Sequence, residues 1–411
     1  MEYPNANGAG ANSPKGREAE FLLALASASS ADRREHLGRL LAEPFDWKRL
    51  MLLAGEHGLM PPMYRWLSDG LAERVPSAVM RELRMAFHAN ALRSTHLARE
   101  LVRLADLFAR RGVPVLTFKG PVLAMLAYGD LAMRAFSDID LLVKQQDIGA
   151  ARELLASAGY AREFPAIRPE LSELLPLPEE TFRHESGLAV VDLHWGMAPR
   201  YYPYAGDIAG MFERSSQVEL EGGRVNALGR DDHLLHLFFH ATKDGWQTLG
   251  AVRDVAGFIR YAEDLDWAAL MERASRGGSR RMLLVGAQLV HDLLEVPIPG
   301  FVLEAALRDA GTQAAVRRVR HRLTKRPTEG FFQEWMVPMY AVDGLWPKLH
   351  YMLGRSLAPT FLDCAWVAIP RRLFPLYYGV RILRIGAEGA RLAFRAAGNR
   401  FGAKRRSRDE D

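Results

Sequence analysis

The stretch VLTFKGPVLAMLAYGDLAMRAFSDIDLLV, residues 115–143, decides the fold. It opens with an apolar β-type run, turns at Lys119-Gly120-Pro121, passes through a short helix-like segment and ends in an acidic strand. Side chains alternate between the faces of a strand, so Asp138, Asp140 and Leu142 point one way while Ile139, Leu141 and Val143 point the other. Two carboxylates therefore stand together on a strand whose back is apolar. Burying unpaired charge is expensive, and a divalent cation is a common way to offset it.

Downstream, QDIGAARELLASAGY reads as a helix stopped by Gly159, the pattern of an α/β unit. Residues Arg162 to Glu180 read as an irregular loop or a short helix. ETFRHESGLAVVDLHWGM then gives a second pair of strands with Ser186-Gly187 at the turn. In its second strand Val190, Asp192 and His194 share one face, and Val191, Leu193 and Trp195 the other. A third carboxylate thus appears on a strand, about fifty residues after the first two.

On either side the periodicity is helical. Leu and Ala recur at steps of three and four from Glu18 to Arg111, broken near Gly58 and Pro61-Pro62, and His57 and Trp66 by that break read as helix-junction packing. Beyond Leu228 the chain becomes helical again. His233, His236 and His240 fall on one helix face there, where core packing outweighs metal binding because no matching acid or cysteine is evident. The expected division is a disordered lead (1–17), a helical lobe (18–111), an α/β core (112–228), a helical region (229–369) and a basic amphipathic helix with its tail (370–411). In that last helix Arg381, Arg384, Glu388, Arg391 and Arg395 form one stripe, with Ile382, Ile385, Leu392 and Ala396 away from it. The favoured expectation packs the apolar side on the protein and leaves the arginines solvated. The other lays the arginine stripe on an anionic membrane surface.

The single cysteine, Cys364, can form no internal disulfide, which fits a reducing compartment. The leading segment lacks the charged and apolar regions of a signal peptide, and no apolar run is long enough for a membrane span. A cytoplasmic location follows as the expectation, with peripheral contact at the inner face of a membrane through the terminal helix. The net charge of +5 comes from the tail, since Arg371 to Asp411 carries an excess of +7 and leaves −2 for the rest. That body charge gives no support to a nucleic-acid partner.

Asp138, Asp140 and Asp192 on two strands, preceded by a glycine turn, supply what phosphoryl transfer at a pair of divalent ions needs: shared carboxylate ligands. Lys119 and Gly120 offer an ammonium and backbone N–H groups to a triphosphate, and Arg134 offers charge to the transferring group.

The Lys119-Gly120 turn, Arg134, the Ser137-Asp138-Ile139-Asp140 strand and Val191-Asp192-Leu193-His194-Trp195 resemble the nucleotidyltransferases of the DNA polymerase beta superfamily. The likeness is closest to a bacterial group known as uncharacterised nucleotidyltransferases. It is densest from Ala105 to Trp195 and continues through His240, Lys243, Trp246 and Asp254 toward Tyr377-Tyr378. Lys119-Gly120-Pro121 departs from the superfamily's usual glycine-serine pair. The resemblance implies an α+β fold, a nucleotidyltransferase-type mixed sheet with flanking helices, preceded and followed by all-helical regions. It implies catalytic and metal-binding roles for Asp138, Asp140 and Asp192, with magnesium or manganese as a pair of ions. Lys119, Gly120, Arg134 and Ser137 would bind the nucleotide, ATP among the candidates. His194, His240 and Lys243 are candidate substrate contacts, with Asp254 expected to pair with His240 or Lys243. The implied reaction moves a nucleoside monophosphate from a nucleoside triphosphate to a hydroxyl of a small molecule, a sugar or peptide intermediate, or a protein, releasing pyrophosphate. The alternative is a non-catalytic nucleotide-binding or scaffold protein of a membrane-associated biosynthetic assembly.

Overall fold

A computed structural model describes residues 16–27, 31–42, 45–164, 167–204, 206–324 and 332–388. Most of the expected disordered lead lies outside the described residues, as do Arg391, Leu392, Arg395, Ala396 and the basic cluster Lys404 to Arg406.

The helices fall where the three-and-four spacing puts them. Arg17–Ala26, Ala31–Leu40, Trp47–Glu56, Met60–Ser68 and Ser77–Arg110 precede the sheet. The last of these is a 34-residue helix whose buried stripe runs Met80, Leu83, Phe87, Leu97, Leu101, Leu104 and Phe108. Its first half packs among the leading helices and its second half against the sheet. It ends before Gly112, which adopts the left-handed conformation (φ 68°) that glycine takes without steric cost.

Seven strands follow: β1 Leu116–Thr117, β2 Ile139–Leu142, β3 Tyr160–Arg162, β4 Glu179–His184, β5 Val190–His194, β6 Ser216–Leu220 and β7 Gly223–Ala227. They form one mixed sheet in the order β3-β4-β5-β2-β1-β7-β6. Within it β2 runs parallel to β5 and antiparallel to β1, and β1 runs parallel to β7. The α+β expectation holds. So does the alternation in the acidic strand. Ile139, Leu141 and Val143 join Val191, Leu193 and Trp195 in the core on one side, while Leu142 joins Leu116, Phe118 and Met197 on the other.

Sequence reasoning missed β3 and the hairpin β6–β7. The hairpin's signal is legible in retrospect: Val218, Leu220, Val225 and Ala227 alternate as buried positions around Glu221-Gly222, with Gly222 at φ 105°.

The trailing helices include Arg230–Lys243, Leu249–Tyr261, Arg280–Leu294 and Leu345–Leu357. Phe238, Trp246, Val252, Leu284 and Leu289 share one hydrophobic core with Phe21, Leu50 and Met63 of the leading helices. Chain ends distant in sequence thus bury their apolar faces against each other beside the sheet.

The terminal helix corrects the favoured expectation. Arg384 is buried and its Nε donates to Asp363 Oδ1 at 2.6 Å, with Arg381 Nη1 3.7 Å from Asp363 Oδ2, while Ile382, Leu383 and Ile385 are exposed. The cause is Asp363, a buried carboxylate that also closes a capping box with Thr360 at the head of the helix Phe361–Trp366. Buried charge must be paired, and that requirement turns the first arginines inward and the apolar residues out.

Candidate active site

Parallel pairing of β2 with β5 sets Asp140 directly opposite Asp192 and Leu142 opposite His194. Asp138 lies two residues ahead of Asp140, on the same face. Asp140 is buried, and Asp138 and Asp192 are half-buried. On the neighbouring β4, Thr181 pairs with Asp192 and its hydroxyl donates to Asp192 Oδ1 at 2.6 Å. Ligand atoms of Asp140, Asp192 and His194 lie within 4.8 Å of one another, the one such group of metal-ligating side chains among the described residues. Its two carboxylates suit a hard divalent cation, and Asp138 is not a member of this group.

Two cations of the chain press on the same carboxylate. Lys119 Nζ donates to Asp140 Oδ1 at 3.1 Å, and His194 Nε2 sits 3.1 Å from that oxygen. His194 Nδ1 is 3.3 Å from Glu179 Oε2, so the imidazole bridges two acids. Burial opposes its charge, but hydrogen bonds to Asp140 and Glu179 outweigh burial and push its pKa up to about 9. For Asp140 burial is likewise outweighed, by the Lys119 charge and the His194 hydrogen bond, and its carboxyl is held far below the usual range. Glu179 is held down to about 2, where the His194 hydrogen bond overcomes burial. Asp138 and Asp192 go the other way, raised by burial, with Asp140 adding repulsion at both. Those two carboxylates are where added positive charge relieves the most unfavourable electrostatics.

Gly120 shows why this turn needs glycine. It sits at φ 49°, and a Cβ there would lie 3.1 Å from the backbone oxygen of Asp138. The turn that carries Lys119 is thereby pressed against the acidic strand. Ser137 is exposed, immediately before Asp138.

A cleft of about 780 Å³ opens from Lys119 toward the helical body, lined among others by Arg134, His240, Lys243, Arg253 and Arg355. Lys119 is the residue shared between this cleft and the acidic cluster. Arg134 is tied away from the acids, with its Nε donating to Asp254 Oδ2 at 2.9 Å, while Tyr128 donates to Asp254 Oδ1 at 2.6 Å. The expected pairing of Asp254 with His240 or Lys243 is therefore corrected. Their partner is Asp244, 3.1 Å from the Nδ1 of His240 four residues earlier on the same helix face, and 3.9 Å from the Nζ of its sequence neighbour Lys243. His233 and His236 lie in the core against Phe258 and Phe118, and burial holds both well below the ordinary imidazole range. The floor of the cleft joins the leading helices: Gly250 donates to the His57 carbonyl at 2.9 Å, and a side chain at Gly250 would collide with it.

Glu179, Thr181 and Asp244 escaped the sequence reading. The first two are surface-type residues on β4 whose place beside His194 and Asp192 depends on strand register, for which a single sequence has no local signal.

The profile of a family described as uncharacterised nucleotidyltransferase matches residues 43–295, well over half of the chain. No curated protein and no solved structure matches it. The matched span holds all three aspartates, Lys119, His194 and every cleft residue named above except Arg355. With a mixed sheet that presents paired acids beside a basic cleft, the chain belongs to this family of uncharacterised nucleotidyltransferases.

Proposed function

We propose that the protein transfers a nucleoside monophosphate from a nucleoside triphosphate to a hydroxyl of a small molecule, a sugar or peptide intermediate, or a protein. The acceptor oxygen forms a bond to the α-phosphorus, the bond from that phosphorus to the bridging oxygen breaks, and pyrophosphate leaves with the electron pair. The observation that carries this reading is the register that places Asp140 beside Asp192 with Asp138 two residues ahead. Asp138, Asp140 and Asp192 would hold a pair of magnesium or manganese ions, which supply charge neutralisation and Lewis acidity when bound.

The chain's own groups divide the remaining tasks. Lys119 and His194 fix Asp140 through Oδ1 and leave Oδ2 to a ligand. Asp192, oriented by Thr181, accepts the proton of the attacking hydroxyl, a role suited to its raised basicity. Lys243, Arg253 and Arg134 on the cleft wall face the phosphates, and the Lys119 ammonium with the N–H groups of Lys119 and Gly120 approaches them from the sheet side. Positioning and charge do most of the work in such a reaction.

The test is incubation with each α-labelled nucleoside triphosphate and magnesium or manganese, with and without cell extract, following pyrophosphate and labelled product. Labelled product from wild type and none from Asp138→Asn is the expected result. Equal background from both, with no binding of metal and nucleotide, sinks the reading.

One observation favours the second reading, a non-catalytic nucleotide-binding protein: Lys119 and His194 already neutralise Asp140 within the chain. Saturable nucleotide binding without pyrophosphate release under every acceptor condition would select it.

A further inference from the structure

We propose that the face formed by residues 345–385 is a docking surface for an anionic lipid bilayer. Among the described residues 21 large hydrophobic side chains are exposed, and 14 of them fall in this one-tenth of the chain. They include Leu345 and Trp346 (77% and 80% exposed), Leu353, Trp366, Leu376 and Leu383. Scattered exposed apolar residues are ordinary, whereas a concentration of this size marks a surface that something covers.

The chemistry of the face selects a membrane. Trp346, Trp366 and Tyr378 are the side chains that settle at the boundary between headgroups and acyl chains. Arg371 and Arg372 are exposed between Trp366 and Leu376, and Lys348 lies one turn from Leu345. The sole acid from 345 to 385 is Asp363, and it is buried and taken by Arg384. The exposed charge of the face is therefore entirely positive, which complements anionic headgroups. A second copy docking face to face would set one wholly positive surface against another, an unfavourable arrangement. No helix among the described residues is long and apolar enough to cross a membrane, so the contact lies in the plane of the interface.

The inversion of the terminal helix is part of the device. By drawing Arg381 and Arg384 inward, Asp363 leaves Ile382, Leu383 and Ile385 exposed to join the apolar side chains of residues 345–378. The helix Leu345–Leu357 also contributes Arg355 to the wall of the cleft, and its Gly354 packs beneath the Tyr201 ring at the cleft edge. A bilayer held by this face lies beside the cleft. The face lies outside residues 43–295, the span that the family profile matches.

The experiment is flotation of the full-length protein with phosphatidylcholine vesicles, with and without phosphatidylglycerol. It compares wild type with Trp346→Glu/Leu353→Glu and with Arg371→Ala/Arg372→Ala. All four side chains are exposed, so the variants should keep the wild-type circular dichroism and melting transition, which are recorded alongside. Wild type is expected to float with the anionic vesicles and to be released by salt, with recovery of the apolar variant at least about tenfold lower. The arginine variant is expected to lose the preference for anionic lipid. Failure of wild type to float, or equal recovery of the apolar variant, overturns the proposal. Light scattering supplies the other arm. A wild-type dimer that Trp346→Glu/Leu353→Glu dissolves would assign the face to a second copy and overturn it too.

Discussion

His194 Nε2 lies 3.1 Å from Asp140 Oδ1 across the parallel strand pair, and the other ring nitrogen faces Glu179. This buried imidazole is thus an internal counter-ion of the acidic cluster. In metal-free protein its NMR titration is expected to centre near pH 9. In Glu179→Gln the midpoint should fall by about one unit or more, because one of the two hydrogen bonds favouring the cation is weakened. A wild-type midpoint near 6.5 would show that the ring is not held by these acids.

On the proposed mechanism Asp140 carries both structural and chemical weight, whereas Asp138 carries mostly chemical weight. Asp140→Asn leaves the Lys119 ammonium and the His194 imidazolium without their shared carboxylate, and breaking a buried pair costs about 3–5 kcal/mol. Adding Lys119→Met should recover part of that loss, since it removes one stranded charge. Asp138→Asn, at a half-buried position with no ion pair among the described residues, should keep near-normal stability while lowering nucleotidyl transfer by roughly a hundredfold or more. Urea unfolding and the labelled-nucleotide assay read the two effects separately.

Gly120→Ala should damage the site through the backbone. The left-handed conformation costs a Cβ-bearing residue about 1–2 kcal/mol, and the new methyl must push against the Asp138 carbonyl. Lower stability with a raised nucleotide KM is the expected pairing. Unchanged thermal unfolding would mean the turn relaxes freely.

Asp254 joins the sheet domain's Arg134 and Tyr128 to the helix Leu249–Tyr261. Asp254→Ala strands a half-buried guanidinium and should destabilise by about 1–3 kcal/mol, whereas Arg134→Met/Asp254→Leu should cost less than the single change. A double-mutant cycle by urea denaturation measures the coupling. Additive losses would show that the pair contributes no net interaction.

Burial holds His233 down at about 3, so its neutral form belongs to the fold while the unfolded chain takes up a proton below 6.5. The stability it contributes is present above pH 6.5 and is lost as pH falls toward 3, amounting to about 2 kcal/mol at pH 5. His233→Phe should flatten the pH dependence of unfolding between 7 and 5. An unaltered slope would transfer the effect to other groups.

The sequence by itself determined what depends on local periodicity. Period-two alternation put Asp138 and Asp140 on one face of their strand and Asp192 with His194 on one face of theirs, and period 3.6 drew the helices around them. The tertiary structure decided what depends on register and on long-range charge. Pairing of β2 with β5 made Asp140 and Asp192 neighbours, and pairing of β4 with β5 brought in Thr181 and Glu179. Lys119 reached Asp140, Arg134 reached Asp254, and Asp363 turned Arg384 inward. A buried charge takes whichever partner the fold brings within reach, and that partner lies 21 residues away for Lys119 and Arg384 and 120 for Arg134, beyond any local pattern.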